Sequence, residues 1–157
     1  MRKFFIIMVL TAVLGLLGAC NKKKNASEEA KNRAEQLEGT FAVKGRIYLD
    51  ACVGFPADDF GFAGTANVTH KGNAVIRIAY TSDEGDYNAI DADIDGNGKI
   101  TFDEFTVKKS GVSMSAEMTS SSLYAHTPDS ISGEASCVLD VIILSRVGRL
   151  KLTAVRM

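Results

Sequence analysis

From about residue 40 to the end of the chain, apolar residues tend to recur at every second position, and that period of two admits half-buried strands and little else. Ala74, Ile76, Ile78 and Tyr80 alternate with Val75, Arg77 and Ala79. Val112, Met114, Ala116 and Met118 alternate with Ser113, Ser115 and Glu117, and Leu150, Leu152 and Ala154 with Lys151, Thr153 and Val155. Further strands are expected at Thr40–Leu49, Gly64–His70, Asn88–Asp95, Lys99–Val107 and Ser136–Leu144. The last is expected to be the most buried, because Val138 to Leu144 is apolar on both phases except at Asp140. Gly61, Lys71-Gly72-Asn73, Ser82–Gly85, Gly96–Gly98, Ser110-Gly111, Pro128 and Gly148 mark the connections. The reading is an all-β domain over 39–157: an antiparallel meander of about eight strands, closed as a small barrel or folded as a sandwich.

Composition excludes other classes. With 157 residues, 46% of them hydrophobic, and a net charge of −1, the chain is too apolar for disorder. Its charge is too balanced for a nucleic-acid binder, and none is expected as a partner.

The amino terminus has a different character. Met1-Arg2-Lys3 is basic, Phe4 to Ala19 is an apolar run, and Leu17-Gly18-Ala19-Cys20 closes it with small residues before a cysteine. The run is too short for the ~20 residues that span a bilayer and has the layout of a secretory signal. The closing tetrapeptide resembles the lipobox of bacterial lipoproteins. That resemblance implies removal of a signal peptide at 1–19, diacylation of the Cys20 thiol by palmitate-type chains, and stable membrane anchoring. Asn21 stands where the family places Asp for inner-membrane retention, which implies the outer membrane. Residues 20–38 read as a lipidated tether with a short helix: Asn25 with Glu28 as a cap, Glu29 with Arg33 as an i,i+4 pair, a thin stripe of Ala30, Ala34 and Leu37, and Gly39 as the stop. Lys22, Lys23 and Lys24 either face anionic head groups or belong to a solvated spacer. The overall pattern is also similar to calycin-like β-barrel lipoproteins of the bacterial envelope. That likeness implies an interior that either holds a small apolar ligand or is filled by its own side chains.

Eight of the 19 acids fall between residues 83 and 104, against the single base Lys99. Such a segment repels itself unless water or a cation offsets it. Within it, Asp93, Asp95, Asn97, Lys99, Thr101 and Glu104 stand at positions one, three, five, seven, nine and twelve around Gly98 at six. This spacing resembles the EF-hand calcium loop. The resemblance implies a Ca²⁺ cage of side-chain oxygens, the Lys99 carbonyl and a bidentate Glu104. The flanks read as strands instead of helices, since Ile90, Ala92 and Ile94 alternate with Asp91, Asp93 and Asp95. A β-hairpin with an Asp-Gly-Asn-Gly turn and a solvated acidic face is therefore the competing expectation.

With Cys20 lipidated, Cys52 and Cys137 are left for each other. In an oxidising periplasm they would close a loop of about 85 residues, worth roughly 4 kcal/mol. Otherwise they are small buried hydrophobes on separate strands. His70 and His126 sit in no metal-spacing motif, and Ser120-Ser121-Ser122 lacks a glycine elbow. With no phosphate-binding glycine loop and no Cys-x-x-Cys pair, catalysis is not expected. The expectation is a lipid-anchored, non-catalytic binding module for a protein or small molecule. The alternative is a structural subunit of an envelope complex whose acidic hairpin binds no metal.

Overall fold

The computed structural model describes residues 27–109, 112–141 and 144–157. The signal segment 1–19, Cys20 and the tether up to residue 26 lie outside the described residues, as does Ser110-Gly111. A helix α1 at 27–36 is followed by β1 (Gly39–Leu49), β2 (Asp58–Gly72), β3 (Val75–Ser82), β4 (Tyr87–Ile94), β5 (Lys99–Thr101), β6 (Glu104–Lys109), β7 (Val112–Thr127), β8 (Ser130–Val141) and β9 (Leu144–Arg156). All pairings are antiparallel, in the order β5-β4-β3-β2-β1-β9-β8-β7-β6. β5 also pairs with β7, through Lys99↔Tyr124 and Ile100↔Leu123, which closes an eight-stranded barrel. Of the two expected architectures, the barrel is the one formed.

Alternation places one side of each strand inside. Phe41, Val43, Ile47 and Leu49 of β1 are buried, while Ala42, Lys44, Arg46 and Tyr48 between them face outward. Outward charges pair across strands: Arg46 with Asp59 at 2.6 Å, Arg77 with Asp91 at 3.2 Å, and Lys151 with Glu134 at 3.5 Å. Exposed pairs of this kind contribute under about 1 kcal/mol each.

Two linked interruptions let the barrel close. The chain leaves strand geometry at Phe102 and Asp103, between β5 and β6, and β7 shifts register between Met118 and Ser120. They lie side by side, the Met118 amide donating to the Asp103 carbonyl at 2.7 Å. Each flips the inward phase. Ile100 and Phe102 line the interior before the break and Phe105 after it; Met114, Ala116 and Met118 face in before the bulge, and Ser121, Leu123 and Ala125 after it. An extra residue on one strand bends it and redirects its side chains.

α1 closes the lower end. Its stripe of Ala30, Ala34 and Leu37 is 5%, 0% and 1% exposed, and the last two join Phe41, Ile94, Ile100 and Leu123 in one core cluster. Fully burying a leucine contributes about 1.5–3 kcal/mol. Arg33 donates to the Gly96 carbonyl at 2.8 Å, so its reach is to the β4–β5 turn. Arg156 donates to the Gln36 and Glu38 carbonyls at 2.7 and 2.6 Å, satisfying acceptors that a helix end leaves open. The segment read as a tether is thus, over 27–38, packed onto the barrel.

Three other expectations are corrected. Gly61 and Gly148 lie inside β2 and β9. Gly148 sits where a Cβ would approach the Tyr48 carbonyl to 2.9 Å, so close packing of neighbouring backbone explains it. The run 138–144 is no single buried strand: β8 ends at Val141 and β9 begins at Leu144, with Asp140 exposed and Val138 half-buried.

Candidate functional site

The barrel wall has unequal height. β3 and β4 have 8 residues each, whereas β2 has 15, β7 has 16, β8 has 12 and β9 has 13. β3 stops pairing with β2 at Gly64↔Ser82, so Asp58–Ala63 rises above it. On the other side, β4 pairs with β5 only at Asp93 and Ile94. Among the described residues no ladder joins Tyr87–Ala92 to β6; the Asn88 side-chain amide bridges that seam by donating to the Thr106 carbonyl at 3.0 Å.

Beneath this low wall lies a cavity of about 810 Å³, within the about 300–1,000 Å³ typical of small-molecule sites. Its floor is Phe41, Val68, Ile100 and Ala154, above α1 and the lower core. Its sides are Phe62, Ile78, Tyr80, Ile90, Phe102, Phe105 and Leu152, which face inward yet stay partly accessible to solvent. Gly45 makes room for one of them, since a Cβ there would stand 2.2 Å from the Phe62 ring. Phe62 and Tyr80 meet edge to face at 6.0 Å, as do Phe102 and Phe105, arrangements that favour ring quadrupoles.

The rim is polar and negative. The β3–β4 connection brings Ser82, Asp83, Glu84, Gly85 and Asp86 to the opening, held by the Ser82 hydroxyl accepting from the Asp86 amide at 3.0 Å. The Asp83 amide donates to the Ala63 carbonyl at 3.0 Å, and the Tyr80 hydroxyl donates to the same carbonyl at 2.8 Å. Burial, and after it the charges of Asp83 and Asp86, push the Tyr80 phenol up from 10.0 to about 12. At neutral pH it is therefore a donor and not a base.

The acidic segment divides between this rim and the lower end. Asp93 and Thr101 face each other across β4 and β5, and residues 95–98 make the hairpin turn. Asp95 Oδ1 accepts the amides of Asn97 and Lys99 at 2.8 and 2.9 Å, an Asx turn that fixes the hairpin tip. Gly98 has φ +83° and lies against the Ala125 carbonyl, to which a Cβ would come within 2.6 Å. Glu104 stands on β6 opposite Glu117, beyond the strand break. The strand flanks and Asp-Gly-Asn-Gly turn are those of the hairpin expectation, and no helix flanks the loop. Of the residues expected to hold Ca²⁺, Asp93, Asp95, Asn97, Thr101 and Glu104 are exposed and Lys99 half-buried. No group of three or more His, Cys, Asp or Glu is gathered to hold a metal ion among the described residues.

Cys52 and Cys137 are free thiols in this structure, which does not make the expected bond between them. Cys137 is fully buried in the upper core beside Ile47, Ala116 and Leu139, and burial pushes its thiol up to about 11. Cys52 lies in the β1–β2 connection, bridged backbone to backbone with Phe55. His70 contacts the Asn73 carbonyl at 2.9 Å, and exposed His126 lies beside Tyr124. Ser121 is structural. Its hydroxyl donates to the Ile100 carbonyl at 2.8 Å and accepts from the Leu123 amide at 3.3 Å, stitching β7 to β5.

The cavity residues were not singled out as a site by sequence reasoning. A signal was present in Phe60 and Phe62 at a strand spacing of two, and in Phe102 and Phe105 at a spacing that only a bulge puts on one face. No protein-family model and no curated protein matches the chain. Among solved structures, the S-type phycobiliprotein lyase CPES from Guillardia theta is similar, at 10% identity over 84% of this chain and 93% of that one, with a TM-score of 0.46.

Proposed function

We propose that this protein is a non-catalytic binding module that holds an apolar small molecule inside its barrel, anchored to the bacterial outer membrane through acylated Cys20. The observation that carries the binding reading is the cavity of about 810 Å³, whose inward-facing apolar walls stay partly accessible to solvent. A barrel built only as a structural part would gain by filling that space, at about 25 cal/mol for each Å² of apolar surface removed from water. The anchoring reading rests on Leu17-Gly18-Ala19-Cys20 alone.

The test uses the chain from residue 20 with Cys20→Ser, which keeps every described residue and carries no acyl chain. N-phenyl-1-naphthylamine, an uncharged apolar dye, is expected to gain fluorescence saturably on mixing. Ile90→Trp, which fills the cavity from its wall, should weaken binding at least about tenfold, or ~1.4 kcal/mol. Circular dichroism should show the variant folded. Binding that is not saturable, or that a folded Ile90→Trp leaves unchanged, would overturn the proposal.

A further inference from the structure

The inner faces of β3 and β4 meet in opposed pairs, which from the lower core upward are Ile76↔Ala92, Ile78↔Ile90 and Tyr80↔Asn88. The lining changes from hydrocarbon to hydrogen-bonding groups in a single step, about 13 Å above the lowest pair on a strand rise of ~3.3 Å per residue. Resting on the binding reading above, we infer that the ligand carries a hydroxyl group, which the Asn88 side-chain amide holds while the apolar body lies below it.

Asn88 has more hydrogen-bonding capacity than the fold uses. Asparagine is depleted in strands, and here it lines the cavity at an inward position in series with Ile90, Ala92 and Ile94. Its side chain has two N–H donors and an acceptor oxygen. One N–H donates to the Thr106 carbonyl at 3.0 Å, and among the described residues that is the only hydrogen bond the side chain makes. The bond across the seam holds the amide at the wall and leaves the second N–H and Oδ1 to be met from the cavity. A hydroxyl both donates and accepts, so one atom of the ligand answers both. Tyr80, directly opposite, has already given its proton to the Ala63 carbonyl at 2.8 Å, so Asn88 is the member of this pair with a donor left.

The same ladder sets the orientation. Below the Tyr80–Asn88 level the lining side chains, among them Phe41, Val68, Ile78 and Ile100, are apolar. A polar group lowered to that depth would lose its water and gain no side-chain partner. The hydroxyl therefore stays at Asn88, and hydrocarbon fills the space beneath.

Octanol and octyl chloride share one chain and differ at its end. Each is titrated as a competitor of N-phenyl-1-naphthylamine on the Cys20→Ser chain and on the same chain with Asn88→Leu, which keeps the bulk and removes the amide. Asn88→Leu should weaken octanol about fivefold, the loss of one hydrogen bond, and leave octyl chloride within about twofold. In the parent chain the Asn88 side-chain amide signals in a nitrogen–proton NMR spectrum should move much further with octanol than with octyl chloride. Equal weakening of both competitors, or equal NMR shifts with both, would make Asn88 a clamp of the seam alone and overturn the hydroxyl assignment. So would dye binding that neither octyl compound displaces. Failure of the dye and both competitors to bind would overturn the cavity reading as well.

Discussion

The lower end of the barrel and its open flank are built from the same kinds of residue and treat them differently. At the lower end α1 lies across the opening, and Leu37, Phe41, Ile76 and Ile100 are at most 1% exposed. At the flank, Phe62, Ile78, Tyr80, Ile90 and Phe102 point inward but have no comparable element laid over them. A short helix, contributing little more than Ala30, Ala34 and Leu37, makes the difference between a sealed core and a vacant one. Stability and vacancy are therefore assigned to separate regions, so a ligand can come and go without opening the core that holds the strands together.

The sharpest way to break that comparison is to delete equivalent bulk from both regions. Leu37→Ala, which cavitates the sealed end, should cost about 3 kcal/mol, whereas Ile78→Ala, on a wall that already borders open space, should cost only about 1 kcal/mol. Urea unfolding measures both. Equal losses would mean that the flank is packed as tightly as the plugged end.

The hairpin tips offer a second contrast. Gly98 and Gly85 share the left-handed backbone, with φ of +83° and +89°, but only Gly98 has a neighbour in the way, the Ala125 carbonyl. Gly85→Ala carries the conformational cost alone, about 1 kcal/mol, and Gly98→Ala adds a steric clash, for a total of about 2 kcal/mol or more. Thermal melts of the two variants would rank them. A Gly85 variant as damaging as the Gly98 one would contradict the open geometry of the rim.

The smallest effect concerns Tyr80 at the rim. Tyr80→Phe removes a hydrogen bond worth about 1 kcal/mol. The phenol also carries a pH signature, because its folded value of about 12 lies above the ordinary 10.0. The fold favours the neutral form, so this contribution is whole below pH 10 and is lost as pH rises from 10 through about 12. Denaturation curves across that window should fall more steeply for the parent chain than for Tyr80→Phe. Parallel curves would mean that neither burial nor the charges of Asp83 and Asp86 raise the phenol.

Much of the architecture was legible in residue spacing. β1, β3 and β4 follow the alternation within a residue or two, because each keeps one phase from end to end. Legibility failed where the phase changes. Ser120 to Thr127 alternates weakly and out of step with Met114 to Met118, so the second half of β7 was invisible until the bulge joined the two registers. The same slip at Phe102-Asp103 hid the fact that Phe102 and Phe105 share a face. The cavity itself could not be read locally, since it depends on how far β3 and β4 fall short of strands remote from them in sequence. The calcium-loop spacing is a strong local pattern whose flanks, in this barrel, are strands that meet at a tight hairpin tip.

The junction of β5 with β7 has a further consequence. Every other boundary of the barrel except the β4–β5 contact is a ladder of at least six residue pairs, whereas this one rests on Lys99↔Tyr124 and Ile100↔Leu123. With the equally short β4–β5 contact, it is a place where thermal fluctuation can turn the closed cylinder into an open sheet with raw strand edges, the usual template for one molecule to add onto another. Next to the edge of β5 uncovered there lies β4, whose Tyr87–Ala92 side joins no ladder to β6 among the described residues and which carries the outward carboxylates of Asp91 and Asp93. A row of like charges on such an edge repels an identical row on a second copy. The acidity that first suggested a metal thus has a second use, as protection against self-association whenever the barrel breathes.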